Sequence, residues 1–462
     1  MRNPGSEARH ERSALAILAL GLATFLTLFD VTAVVVALPG IAKDLGFSVA
    51  GAAWVIDAYS LAFTGALVVS GALADRFGRR RSMLSGNAVF LLTSIACGMA
   101  TNGQMLLAAR AAQGIAAAFM VTGAIALVAG AFDNLAQRAR AFGMIGIISG
   151  VAMALGPTLG GMLAARLDWR WIFYANVPFC AALAIAVPFL VAETRTANRR
   201  PLDLLGVVLL TMSLGLAIDA LLRRDGSPAL RLSLLAGGAI LAALFGLQQW
   251  RSRHPVFDPR IFATPAMIAV GALLLAIQFG YWALLVYLPL FLHTSLAMGM
   301  ETAGTALLAA TLPMLVIPWI GGRFVTYWGW RRFFAVAFSV IAAGDGLLVL
   351  AALGSDATTR LTASYVGMFT IGIGAAFANP QMSGVALALT PSAQAGMASA
   401  VTMIVRQAGF AISIAVLGAS LGTSGAATAF AGPFLLAATI SLCAVIAALV
   451  LLPAKSPLQA QT

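Results

Sequence analysis

The sequence predicts an all-α membrane protein: two six-helix halves related by an internal repeat, two helices inserted between them, fourteen transmembrane helices in all, and both termini cytoplasmic. Three observations lead there. Of the residues, 61% are hydrophobic and only 10% charged, against roughly a quarter charged in an ordinary soluble chain, and mean hydropathy is +0.95. Apolar runs of about twenty residues, enough to cross a hydrocarbon core of about 30 Å, recur along the chain with short connections. Pieces of the first half also reappear some 250 residues later.

The first apolar run begins near Ala14, behind Arg9 and Arg12. It could pass for a secretory signal, but it continues for about 25 residues and contains Asp30 in "TLFDVTAVVVALP" (Thr27 to Pro39), so it reads as a retained first helix. The next five begin near Gly51, Ser82, Met105, Ala139 and Trp171 and complete an N-terminal half, 1–200. Two more, near Pro201 and Leu232, occupy 201–250 and have no counterpart in the repeat. The C-terminal half, 251–462, takes its six from near Thr264, Thr302, Phe333, Leu361, Ala393 and Gly425.

Basic residues orient this array. Nineteen Lys and Arg fall on the side shared by the termini, among them Arg76, Arg79, Arg80, Arg81, Arg195 and Arg253, and seven on the other. By the positive-inside rule the termini are cytoplasmic. The net charge of +12 is then mostly topology, and there is no basic domain for nucleic acid. Cys97, Cys180 and Cys443 stand alone in apolar segments, and His10, His254 and His293 are scattered. No spacing suggests a metal site, a disulfide framework or a catalytic triad, so no enzyme activity and no cofactor are expected.

The repeat is visible by eye. "GALADRFGRR" (Gly71 to Arg80) aligns with "GRFVTYWGWR" (Gly322 to Arg331) at an offset of 251, "ALP" ending at Pro39 with "YLP" ending at Pro289 at 250, and "GIAAAF" from Gly114 with "GIGAAF" from Gly372 at 258. Such duplication is common in secondary transporters.

Several motifs carry a more specific resemblance. "LFDVTAVVVALP" (Leu28 to Pro39), "GALADRFGRRRSML" (Gly71 to Leu84), "LLAARAAQGIAAA" (Leu106 to Ala118), "GIISGVAMALGPTLGG" (Gly146 to Gly161), "WRWIFYANVPF" (Trp169 to Phe179) and "ASAVTMIVRQAGFAISIAVLG" (Ala398 to Gly418) follow one another along the chain. Together they resemble the major facilitator superfamily, and within it the fourteen-helix drug:proton antiporter branch. The resemblance spans nearly the whole chain. It implies a latch on the cytoplasmic side of the outward-open state, with Asp75 and Arg79 as gate residues, and it favours export.

Physical chemistry gives each motif work of its own. Gly71 and Gly78 are expected to permit a tight turn after the second helix, with Asp75 facing a helix N-terminus and Arg76, Arg79 and Arg80 anchoring at an anionic surface. A generic positive-inside loop is the plainer alternative. The second copy has Thr326 where Asp75 would stand. On the fifth helix Gly146, Gly150 and Ala154 repeat every fourth residue, followed by Gly156, Pro157, Gly160 and Gly161. Small residues at that spacing clear one face for close packing, and Gly-Pro is expected to add a kink; ordinary packing without a directional role would leave the same pattern.

The intramembrane charges speak most sharply, because Asp or Arg near the bilayer centre costs roughly 2.5–3.5 kcal/mol even on a lenient scale. Asp30, Asp57 and Arg110 are expected in one layer, roughly 8–12 Å from the outer helix ends. An arginine facing two carboxylates leaves one ionised and lets the other take a proton. The repeat sets Gly280 against Asp30 and Met368 against Arg110, so proton chemistry is expected in the first half alone. Weaker candidates for lining a substrate cavity are Trp54, Tyr59, Gln113, Phe279, Tyr281, Trp282, Asn379, Gln381, Arg406 and Gln407, the aromatics serving equally well as interfacial belt or core. Asp219 and Asp345 are expected on peripheral helices in solvated or structural roles.

The reading is a proton-driven exporter of amphipathic, cationic or neutral small molecules in the bacterial cytoplasmic membrane. Its partners are substrate, protons and lipid, with no nucleic acid, and it is expected to act as a monomer. A narrow-substrate carrier, as metabolite exporter or symporter, and a transport-inactive sensor are the alternatives.

Overall fold

The computed structural model describes residues 4–131, 135–194, 203–223, 227–252, 255, 264–389, 395–422 and 427–453. The N-terminal half comprises α1 (Pro4–Leu45), α2 (Val49–Phe77), α3 (Arg79–Gly98), α4 (Gly103–Ala131), α5 (Leu135–Arg166), the short α6 (Arg170–Tyr174) and α7 (Asn176–Leu190). Two helices follow, α8 (Leu204–Leu222) and α9 (Pro228–Arg251). The C-terminal half opens with α10 (Pro265–Ile277), a π-helical turn (Gln278–Trp282) and α11 (Ala283–Leu296), one continuous rod. A segment broken into α12 (Met300–Ala306), α13 (Leu308–Thr311) and α14 (Pro313–Val316) leads into α15 (Pro318–Leu353), then α16 (Ala357–Ala388), α17 (Ala395–Ser420) and α18 (Ala431–Leu451). Among the described residues eleven helices are long and apolar enough to cross a membrane. The other three expected positions hold α2, α3 and the broken α12–α14 segment.

Helices pack on one another within each half, and one buried apolar cluster runs from the first half into the second. α1 packs on α5, α2 on α4 and α3 on α4 in the first half, and α15 on α16 and α18 in the second. With no hydrophobic drive between helices in lipid, such contacts depend on small residues that let backbones approach. Gly114 of α4 lies against the Tyr59 carbonyl of α2, and Gly372 of α16 lies against the Ala310 carbonyl in the same way. Tyr59 and Ala310 are 251 residues apart, so the repeat extends to contacts.

It extends to backbone conformation too. Gly78, which ends α2, has φ +113°, and Gly329, 251 residues on, has φ +74° inside α15. Both lie where an L side chain is strained. Arg80 donates to the Val191 carbonyl at 3.0 Å and its counterpart Arg331 donates to the Leu452 carbonyl at 2.9 Å. Gly71, in contrast, is inside α2 with open space around it. The turn is a single residue, Gly78, and the sequence from Gly71 to Phe77 continues the helix.

Between the halves, α2 meets α17, α5 meets α12–α14 and α1 meets α11. α8 rests on both α2 and α17, whereas α9 packs chiefly on α8 and has only 6% of its apolar span buried. Asp219, near the end of α8, is paired with Arg223 one turn on at 2.9 Å.

Candidate functional site

Asp30, midway along α1, is fully buried. Its Oδ2 forms an ion pair with Arg110 of α4, also fully buried. Its Oδ1 accepts from Asn176 of α7 at 2.8 Å and from Gln113 of α4 at 3.1 Å. Three residues from two other helices thus converge on one carboxylate. Arg110 reaches further: its Nε donates to the Val55 carbonyl of α2 at 3.0 Å, and a terminal nitrogen donates to Gln113 Oε1 at 2.7 Å. Its guanidinium lies 4.5 Å from the Tyr59 ring centre and 5.7 Å from that of Phe173, cation–π contacts strengthened by the burial of all three side chains. Ser94 of α3 accepts from Gln113 at 2.8 Å, tying a fifth helix into the network after α1, α2, α4 and α7.

The local sequence explains the convergence. Arg110 and Gln113 are three residues apart on α4 and so share a face. Asn176 stands at the start of α7, just after α6 turns the chain at the end of the bundle.

Asp57 is placed differently from expectation. It is fully buried, yet among the described residues neither carboxyl oxygen has a hydrogen-bond partner. Arg110 pairs with Asp30 and not with Asp57, so no arginine bridges two carboxylates. Arg110 turns its Nε and one terminal nitrogen to Val55, Asp30 and Gln113, while its other terminal nitrogen, like both oxygens of Asp57, has no hydrogen-bond partner among the described residues.

The weaker cavity candidates divide. Gln113 and Tyr59 belong to the sealed Asp30 network, and Tyr281 is buried with its hydroxyl donating to the Ala310 carbonyl at 3.2 Å. Phe279 is nearly buried as well. Trp54, Trp282, Gln381 and Gln407 are partly exposed. Arg406 of α17 donates to Asn379 of α16 at 2.6 Å. Asp345 is not solvated: it is fully buried.

At the junction of α2 and α3 a missed residue organises the structure. Glu193, just beyond α7, accepts from the backbone N–H groups of Arg80 at 3.0 Å and Arg81 at 3.1 Å. These are free donors of the first turn of α3, where a carboxylate is favoured by unpaired N–H groups and helix dipole together. Arg79 donates from its backbone to the Thr194 carbonyl at 3.1 Å and from its side chain to the Ala126 carbonyl at 3.1 Å. Arg76 is exposed, with its guanidinium 5.4 Å from the Phe77 ring centre. Asp75 lies on α2, and its side chain is outside the described residues.

On α5 the small residues serve two faces and not one. Gly156 and Gly160 lie against Thr32 and Ala33 of α1, within the half. Gly150 faces Leu315, and Gly161 faces the Met300 carbonyl and Gly304, across to the other half. Pro157 is inside the helix, and its carbonyl closely approaches Gly304. The surroundings of Gly146 are outside the described residues. At the same end of the bundle Arg166 of α5 pairs with Glu301 of α12 at 2.7 Å.

Residues 20–414 match the family model described as Major Facilitator Superfamily. The chain belongs to the major facilitator superfamily. Relatives within it carry transport and resistance names. Multidrug resistance protein Stp of Mycobacterium tuberculosis is 30% identical over 410 residues, 88% of this chain and 75% of its own length. Puromycin resistance protein pur8 of Streptomyces alboniger is 32% identical over 420 residues, 89% and 82% of the two chains. Cephamycin export protein CmcT of Amycolatopsis lactamdurans is 33% identical over 449 residues, 90% and 87%. The major facilitator fold is also that of the crystal structure of a D-xylose–proton symporter, with a TM-score of 0.70 at 14% identity over 96% of this chain and 98% of that one. The protein is thus a multi-pass membrane transporter, of a family and fold that are not those of enzymes.

Proposed function

We propose that this major facilitator protein is a proton-coupled antiporter with fourteen membrane helices, exporting amphipathic cationic or neutral small molecules across the bacterial cytoplasmic membrane by alternating access. One observation carries the proposal: a fully buried carboxylate, Asp30, is held by an ion pair and two amide donors contributed by other helices. Every contact to Asp30 is a donor suited to the ionised form. A proton arriving there replaces the charge attraction with a neutral acid and releases Arg110. Arg110 joins α4 to α1 and α2, so protonation changes how three helices of the N-terminal half hold together. Substrate and proton then compete for one conformational equilibrium, to the extent that each binds one state better. Asp57, buried with no hydrogen-bond partner among the described residues, is the second candidate in that half to carry a proton. α8 and α9 complete the fourteen, with α2, α3 and the α12–α14 segment as spans.

With the termini cytoplasmic, the Arg166–Glu301 pair and the Gly161–Gly304 contact lie at the outer end. They describe a bundle whose halves are shut on that side, one of the two states alternating access requires. The names of the relatives, multidrug and antibiotic resistance or export proteins, support efflux as the direction.

Asp30→Asn separates coupling from architecture, because Asn keeps the shape and cannot ionise. In proteoliposomes with an imposed pH gradient, the variant is expected to insert and to lose substrate-evoked proton flux. Undiminished coupled flux per folded molecule would overturn the reading.

A further inference from the structure

We infer that the C-terminal half holds a proton-binding site of its own, at Asp345, built around the π turn of the α10–α11 rod. The inference rests on the antiport reading for its place in the cycle, but its geometry is independent of the Asp30 network. Asp345, on α15, is fully buried in the mid-portion of the bundle. Its Oδ2 accepts from Ser441 Oγ of α18 at 2.9 Å. Among the described residues its Oδ1 has no partner.

The repeat explains why a carboxylate fits there. At the offset of 251 Asp345 corresponds to Ser94, the α3 member of the Asp30 network, and at the neighbouring offset of 250, that of the two Pro39/Pro289 segments, Gly280 corresponds to Asp30 itself. A Cβ at Gly280 would lie 2.5 Å from Ser441 Oγ, 2.8 Å from Ile341 Cγ2 and 3.3 Å from Asp345 Oδ2. The volume that holds an acid on the first helix of the N-terminal half is therefore filled from the third helix of the C-terminal half. Met368 replaces the arginine. The charge has moved across the site and lost its counter-ion.

Among the described residues the surroundings bring no cation to the acid. On the rod, Tyr281 is the nearby titratable group, and its hydroxyl is committed to the Ala310 carbonyl. On α16, Arg360 bonds the Gly354 carbonyl at the helix end and Tyr365 is partly exposed. On α18 the titratable group is the exposed Cys443. On α15 itself, Arg331 bonds the Leu452 carbonyl, and Arg332 and Tyr327 belong to its first part, around the Gly329 break. The 3₁₀ turn 427–430 and α14 bring no titratable side chain. An ionised carboxylate sealed without a cation costs several kcal/mol, so Asp345 accommodates one proton on Oδ1 with Ser441 on Oδ2, and losing it requires water to enter. The π turn supplies the means. π turns are register defects, frequent at functional sites, and sliding this one along the rod rotates Gly280 away from Ser441 and opens the face over Asp345. Proton uptake forms one O–H bond on Oδ1 from water on one side, and release returns that proton to water on the other.

Two measurements test this with Asp345→Asn, which is neutral and still accepts from Ser441. In purified protein, infrared difference spectra between acid and alkaline buffer are expected to show a carboxylic C=O band that titrates in the wild type and is lost in the variant. In proteoliposomes, the number of protons exchanged per substrate is expected to fall by one while export persists. A wild type lacking any band attributable to Asp345, or one that does not change with pH, would overturn the inference, as would an unchanged proton number. If Asp345→Asn does not fold, Ser441→Ala keeps the acid and removes its hydrogen bond; the band's midpoint should then shift, and an unmoved midpoint would overturn the inference. A wild type that exchanges no protons with substrate would refute the antiport reading, and the infrared titration alone would then decide Asp345.

Discussion

Arg110 and Asp30 each neutralise a charge that neither could carry alone inside the bundle. Removing one partner of such a pair costs about 3–5 kcal/mol, whereas removing both is often nearly neutral. Arg110→Gln is thus expected to lower the thermal stability of the purified protein severely, and Asp30→Asn with Arg110→Gln to recover most of the loss. Equal damage from the double variant would mean that the two act separately. This pair was legible because each charge stands in an apolar run where its cost demands a reason. Asn176 and Ser94 were not: neutral polar residues are cheap in a helix, and their importance comes from contacts across 146 and 19 residues of chain. Asp57 was legible as buried but not as unpaired, since depth along a helix can be counted from sequence and the direction of a side chain cannot.

The length of an apolar run dictates a membrane-length helix, and eleven of the described helices have that length and apolarity. Breaks inside a run are harder. The π turn at Gln278–Trp282 and the interruptions at Leu307 and Leu312 change hydrogen-bond register without changing polarity, so hydropathy passes over them. The turn between α2 and α3 shows how little separates a loop from a helix junction. A side chain at Gly78 would be strained by φ +113° and would place a Cβ 2.7–2.8 Å from the Glu193 carboxylate, while Gly71 has an ordinary helical place. Gly78→Ala is expected to cost about 1–3 kcal/mol, lowering the melting temperature well below that of Gly71→Ala in the same scan; equal melting points would remove the role given to this residue. Glu193→Gln, which keeps hydrogen bonding and loses the charge at the start of α3, should cost about 1 kcal/mol in the same measurement.

At the scale of the whole molecule the repeat was the most reliable guide, because duplicated segments must meet equivalent neighbours. Gly114 and Gly372 do so against equivalent carbonyls. What the repeat could not reveal is where the halves diverge, since a charge can move to a different helix and keep its position in space, as between Asp30 and Asp345. By the positive-inside rule the arginine counts predict a cytoplasmic face for both termini. Single cysteines replacing Arg195 and Arg253 on a cysteine-free background are expected to react with an impermeant maleimide from the cytoplasmic side only. Labelling from opposite sides would leave an odd number of crossings between them and remove α8 or α9 as a span.

α9 packs chiefly on α8 and is otherwise almost bare. A surface that meets lipid tails has no shape to match, only a thickness to fill and a polarity to keep. Descendants of this sequence can therefore rewrite α9 with little restraint, exchanging one oily side chain for another, while the letters along α4 and α5 stay fixed. Mutation should accumulate on this outer helix first, so that in any lineage it records elapsed time more faithfully than it records function.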